Sequence, residues 1–353
     1  MTKRRGQGRR PGAGANAPRA TGGGSGRGWT LGAIAVFAAG AAAMWFVGGR
    51  SGAGGGPAAI GGATGCQALP RFAATLGVGP RAMFGTSVKG VMGLAVVDPD
   101  AQGAGRQPVY QHPSWDDAGY LGPFVYDRKG DIYAAPVPLV SLEDNPPDEQ
   151  NRVFRVDSTT QQLALFVDLP AAAAPTGGNP FGVIGLAYDC DGDRLYAASV
   201  AGSTADAQHG RIYAIDLASG AASVVLDERD AFGVAVFNGA HGKRLYYGLA
   251  REPELYSIAL GADGGPDGEP RRELSVADAP NGTSDKIRRI RFTPGPTMAL
   301  HAYDFGYSLQ VASERTERVF EYSYEASTDA WRFDHEVVAG APTPGSEAAT
   351  TSP

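Results

Sequence analysis

Between Leu69 and Gly340 two kinds of short hairpin alternate along the chain, and this alternation restricts the fold more than any other feature. The first kind has a strand led by a glycine, a polar turn, and a strand of the form Leu/Ile-Tyr-x-Ala. It occupies 122–135, 182–199 and 233–248, with a weaker copy at 288–303. The second kind has a strand like Arg-Ile-Tyr-Ala-Ile-Asp, a turn, and a more polar return. It occupies 152–169, 211–227, 254–276 and 318–338, and 91–111 fits it loosely. Short alternating strands bounded by Gly, Asp and Asn predict an all-β domain. Turns at Asp127, Asp189, Asn238 and Thr293 set a period of roughly 50–60 residues, and a self-similar unit of that size reads as one propeller blade.

Two hairpins per period make a four-stranded antiparallel sheet whose apolar faces cannot be buried alone. Stacking such sheets around an axis buries both faces and leaves only short outer edges. The expectation is therefore a β-propeller of four-stranded antiparallel blades over residues 69–340. The glycine-led hairpins are inner and the more polar ones outer. Five outer hairpins give five blades, with residues 70–90 supplying the fifth inner pair; six blades, one degenerate, is the alternative. Two β-sandwiches would not produce two alternating hairpin types.

Ahead of this domain, Trp29–Val47 is an uncharged run whose 19 residues would extend about 28 Å as a helix, close to one hydrocarbon thickness. Tryptophans at 29 and 45 suit the two headgroup boundaries. Residues 1–28 hold seven Lys and Arg and no acid, which predicts a cytoplasmic tail by the positive-inside rule. Residues 29–47 are thus expected to be one transmembrane signal anchor, with the domain periplasmic or extracellular. A cleaved signal peptide and a lipoprotein signal share that location; Ala63-Thr64-Gly65-Cys66 is a loose lipobox, but far from the apolar run. The linker, 48–68, is dominated by glycine at 48–65 and reads as a flexible tether. Residues 341–353 are too poor in apolar side chains to fold.

The net charge is −6, and removing the seven tail cations leaves −13 for the rest. An acidic body excludes nucleic acid as its partner. The two cysteines, Cys66 and Cys190, are too few for a zinc cluster. In an oxidising compartment they could form one disulfide.

Two sets of oxygen-bearing residues are candidate metal ligands. Asp189, Asp191 and Asp193 stand at i, i+2 and i+4, a spacing that can converge on Ca2+. The same residues also suit the tight turn of an inner hairpin. A second set precedes the innermost strands and would ring one mouth of the channel: Asp117 with Asp116, Asn179, Asp230, and Asp285 with Asn281. Oxygens arriving from several blades suit a hard cation such as Ca2+. The five histidines share no ligand spacing, and no nucleophile elbow or phosphate loop is present.

The segment Gly185-Leu-Ala-Tyr-Asp-Cys-Asp-Gly-Asp-Arg-Leu-Tyr-Ala-Ala198, followed by Gly210-Arg-Ile-Tyr-Ala-Ile-Asp-Leu-Ala-Ser-Gly220, resembles the repeats of NHL-type and gluconolactonase-like propellers. It is similar also to YVTN-type surface propellers. The resemblance implies the fold over most of 70–340. Its gluconolactonase-like branch implies a divalent metal, held by carboxylate and amide oxygens, that polarises a lactone carbonyl. Pro280-Asn281-Gly282 is similar to a segment of those enzymes, although here it stands several residues ahead of its strand.

Three functions follow as expectations. The first is a membrane-anchored ectodomain that binds a protein, peptide or glycan. The second is a calcium-dependent hydrolase of lactones or related esters. The third is an accessory subunit of a membrane complex, its span packing through Gly32, Ala33, Ala39, Gly40 and Ala43.

Overall fold

The computed structural model describes residues 59–86, 88, 91–99, 108–138, 142–293, 295–309 and 317–337. The basic tail 1–28, the span 29–47, residues 48–58 of the linker and the tail 341–353 lie outside the described residues. Among the described residues no helix is long and apolar enough to cross a membrane.

The described residues are all-β apart from three short 3-10 turns. They begin with β1 (Gly61–Gly62), followed by five antiparallel sheets in chain order. Blade I is β2 (Met83–Gly85), β3 (Ala95–Val97) and β4 (Pro108–Tyr110). Blade II is β5 (Leu121–Tyr126), β6 (Ile132–Pro136), β7 (Arg152–Val156) and β8 (Leu163–Asp168). Blade III is β9 (Val183–Asp189), β10 (Arg194–Ser199), β11 (Arg211–Asp216) and β12 (Ala222–Leu226). Blade IV is β13 (Ala231–Gly239), β14 (Gly242–Leu249), β15 (Glu254–Ala259) and β16 (Arg271–Ser275). Blade V is β17 (Lys286–Thr293), β18 (Thr297–Tyr303), β19 (Arg318–Glu325) and β20 (Ala330–Val337). The chain is a five-bladed β-propeller.

In blades II, III and IV the inner strands contribute alternate side chains to two blade interfaces, as the pleat requires. In β10, Leu195 and Ala197 pack toward blade II with Tyr133, Ala135 and Val153, whereas Tyr196 and Ala198 pack toward blade IV with Leu245, Tyr247 and Ile258. Between blades IV and V lie Phe237, Tyr246, Met298, Leu300 and Phe320, and between I and II lie Phe84, Leu94, Val96, Ile132 and Ala134. Burying each large apolar side chain contributes about 1.5–3 kcal/mol, so the interfaces carry the fold.

The glycines that lead the inner strands have a steric reason. A Cβ on Gly182 would lie 2.0 Å from the Gln150 carbonyl oxygen, and one on Gly233 would lie 2.4 Å from that of Arg288. Inner strands crowd toward the axis until backbone meets backbone, and only glycine permits the approach.

Three expectations change. Blade I has three strands among the described residues rather than four, in the order β2–β3–β4. Segment 91–111 does form a hairpin, β3 with β4, and β3 also pairs with β2 on its other edge. Among the described residues of 70–90 there is no hairpin: Arg71–Thr75 is a 3-10 turn and only Met83–Gly85 is extended. The tether is also shorter than 48–68. Gly61 and Gly62 pair with Asn238 and Phe237, placing β1 on the axial edge of β13.

Candidate functional site

The channel has a leading end, where the innermost strands begin, and a turn end, where they fold back. The predicted ligands Asn179 and Asp230 are fully buried at the leading end. The Asn179 amide nitrogen donates to the carbonyls of Val200 (2.8 Å) and Ser203 (2.9 Å), while its oxygen accepts from the Phe181 N–H (3.1 Å). Asp230 accepts from the Gly210 N–H (2.8 Å), Arg251 Nε (2.7 Å), the Ser203 hydroxyl and the Tyr307 hydroxyl. Arg251 in turn donates to the carbonyls of Thr204, Ala205 and Ala207, which ties the loop after β10 to the same carboxylate.

An apolar cluster closes over this knot. Phe181, Ile184, Val200, Phe232 and Tyr303 pack together, with Phe305 and Tyr307 laid against them from the β18–β19 loop. The Phe305 ring centroid is 4.5 Å from that of Phe232, and Arg251 stacks 5.1 Å above the Tyr307 ring. Burial, reinforced by the Asp230 carboxylate, keeps the Tyr307 phenol protonated.

The remaining members of that predicted ring do not join it. Asp116 and Asp117 are exposed on the turn before β5. Asp285 is half-buried, with its N–H donating to Thr283 Oγ1, and Asn281 is exposed, its carbonyl accepting from Arg318. Among the described residues no three of His, Cys, Asp and Glu stand where they could hold a metal ion.

At the turn end, the Asp189–Asp193 segment forms the β9–β10 turn, with Asp193 at φ 49°. Lys243 Nζ donates to both Asp189 carboxylate oxygens (2.8 Å each) and lies 3.1 Å from Asp191 Oδ2. Asp191 also accepts from the Asn238 amide (2.9 Å). Burial raises the Asp191 carboxyl, but the Asn238 amide and the Lys243 ammonium outweigh it and hold it below the usual carboxylate range. Asp193 turns the other way, to the Tyr188 hydroxyl and Arg128 of blade II. The three carboxylates therefore link blades II, III and IV.

A strap covers the same end. The Ala63 N–H donates to the Val236 carbonyl (3.0 Å) and the Ala63 carbonyl accepts from the Cys190 N–H (2.8 Å). Cys66 and Cys190 are joined by a disulfide across a sequence separation of 124. The Ala68 N–H then reaches the Asp127 carbonyl of blade II (3.0 Å). Residues 61–68 thus run from blade IV past blade III to blade II.

Sequence reasoning missed Lys243, Arg251 and Tyr307. Lys243 begins an inner strand and looks like any turn cation. Tyr307 sits in a loop read only as polar, although Phe305 and Tyr307 two residues apart signal a loop that buries something.

No protein-family model matches this sequence, and no curated protein does. Solved structures resemble it at low identity. An aldose sugar dehydrogenase from Streptomyces coelicolor, in its PQQ-bound form, shares 15% identity at a TM-score of 0.40, covering 68% of this chain and 75% of the other. Regucalcin from Agrobacterium tumefaciens, a calcium-binding protein, shares 12% at 0.35, covering 69% and 82%. The extracellular domain of a proposed one-component system from B. thetaiotaomicron shares 10% at 0.38, covering 64% of this chain but only 24% of that one. At these values the likenesses determine nothing about this chain's chemistry.

Proposed function

We propose that this is a single-pass membrane protein whose exported propeller is a rigid binding platform rather than an enzyme. The observation that carries the reading is the use made of the buried carboxylates. Asp230 at one end of the channel and Asp189 at the other are each engaged by a cation of the chain itself, Arg251 and Lys243. A calcium ion would have to displace those groups and strand a buried charge, which is expensive. The hydrolase reading would need that exchange.

The disulfide fits an oxidising compartment, in keeping with a cytoplasmic arginine-rich tail and the span at 29–47. A protein, peptide or glycan would meet the leading end, where β6 runs into the β6–β7 loop and β18 into the β18–β19 loop. Association through the small residues of the span would make the same platform a subunit of a membrane complex.

Protease added to right-side-out membrane vesicles tests the topology. The reading expects digestion of the propeller and protection of the basic tail. Protection of the propeller with digestion of the tail would overturn it.

A further inference from the structure

Blades II, III and IV each contribute both faces of their inner strands to apolar clusters. Among the described residues blade V does so with one face, and its other face adds only Tyr303 to such a cluster. Ile290, Phe292, Met298, Leu300, Ala302, Phe320 and Tyr322 pack toward blade IV. The alternate positions, Arg289 and Arg291 on β17, Ala299 and His301 on β18 and Glu321 on β19, form the opposite face, and among the described residues no apolar cluster includes them.

The registers place these side chains side by side. Arg289 stands directly across from His301, and His301 across from Val319, two residues beyond Glu317. Innermost strands β5, β9 and β13 carry no cation, whereas β17 carries Lys286, Arg288, Arg289 and Arg291. Burial, with Arg288 and Arg291 nearby, pushes the Arg289 guanidinium down to about 10. His301 Nδ1 is buried and makes no hydrogen bond. Glu317 is the neighbouring carboxylate, yet its oxygens are 3.4 Å from His301 Nδ1 and 4.0 Å from Arg289 Nη1. Charge-assisted hydrogen bonds run at about 2.7–2.9 Å, so neither of these contacts with Glu317 is that close.

We propose that this face of blade V, centred on Arg289 and His301, is a binding site for an oxyanion, a phosphate or carboxylate group carried by a soluble ligand. The guanidinium fork suits such a group in two-point contact, and His301 Nδ1 supplies a second direction of approach. Glu317 competes with the ligand for the same donors. The proposal deepens the binding-platform reading by giving the ligand's charge.

Calorimetric titration of the full chain in detergent, with inorganic phosphate and with succinate at matched chloride strength, tests it. Saturable binding of either anion is expected, phosphate pointing to a phosphorylated ligand and succinate to a carboxylated one. Arg289→Gln and His301→Gln should each weaken it at least tenfold; Arg155→Gln, which removes an exposed cation of blade II, should leave it unchanged. Glu317→Gln should tighten it several-fold, the reverse of what a purely structural ion pair would give. Neither anion binding above chloride, Arg289→Gln and His301→Gln both binding like the wild type, or Glu317→Gln weakening binding would overturn the proposal. The membrane-topology test is unaffected by those outcomes, so the two failures are separable.

Discussion

Lys243 Nζ sits 2.8 Å from both carboxylate oxygens of Asp189, so blade IV supplies the cation for a blade III turn that is itself rich in acid. The Asp189 side chain is 3% exposed and that of Lys243 is 21% exposed. Removing one partner of a pair this buried leaves an uncompensated charge. Lys243→Met should therefore lower unfolding stability by about 3 kcal/mol, read from denaturant titration. Lys243→Arg should recover part of that loss.

Asp230 presents the same physics at the opposite end. Asp230→Asn keeps the shape but replaces an acceptor of four donors with a group that accepts fewer and carries no charge, leaving Arg251 unbalanced. A loss of about 3 kcal/mol is expected. Hydrogen exchange should rise at residues 204–207 and 304–309, which Arg251 and Tyr307 hold in place. Unchanged exchange there would contradict the assignment of Asp230 as the tie between these loops.

The disulfide closes a loop with a sequence separation of 124. In the chain-entropy picture, opening such a loop costs about 5 kcal/mol of stability. Cys66→Ser and Cys190→Ser should each shift the denaturant midpoint downward by a similar amount, and reductant should do the same to the wild type but not to the variants. The strap retains its backbone hydrogen bonds to Val236 and Cys190, so the propeller should remain folded.

How far the fold was legible depends on where its physical causes lie. The inner turns at Asp127, Asp189 and Asn238 were readable because each combines local turn chemistry with a glycine-led strand, and glycine is demanded by close axial packing; the weaker copy at Thr293 lacks that glycine. Blade I was readable only in its β3–β4 hairpin: β2 is a three-residue strand without a strong apolar alternation. Residues 61–68 read as tether because glycine pairs in β1 through its backbone alone, which leaves no side-chain trace. Asn179 and Asp230 were found as polar residues ahead of inner strands. What the sequence could not disclose was the partners of the buried carboxylates, since Arg251 and Tyr307 reach Asp230 from 21 and 77 residues away and Lys243 reaches Asp189 across a blade boundary.

Stability should rise with pH from acid toward neutrality. Burial, opposed by Glu317, holds His301 below the ordinary imidazole range, with Arg289 and Arg291 acting in the same direction as burial. The unfolded chain then binds the proton more readily, so this contribution is present above about pH 6.5 and is lost as pH falls through the lower folded value. Burial raises Asp329, but the Tyr324 hydroxyl and the Arg271 guanidinium outweigh it and keep the carboxyl depressed. Its contribution is present above about pH 4 and is lost as pH falls further. Melting temperature against pH should show both steps, and His301→Gln should remove the upper one alone.

The central claim is that the chain's own groups fill the carboxylate positions where a divalent cation would sit. Thermal unfolding of the purified protein with calcium in excess, and again with chelator, tests it most directly when paired with elemental analysis. The account predicts superimposable curves and no stoichiometric metal. A calcium site would add about 2.7 kcal/mol at a hundredfold excess over its Kd; a chelator-induced fall of that size, with one bound calcium per chain, would contradict the account.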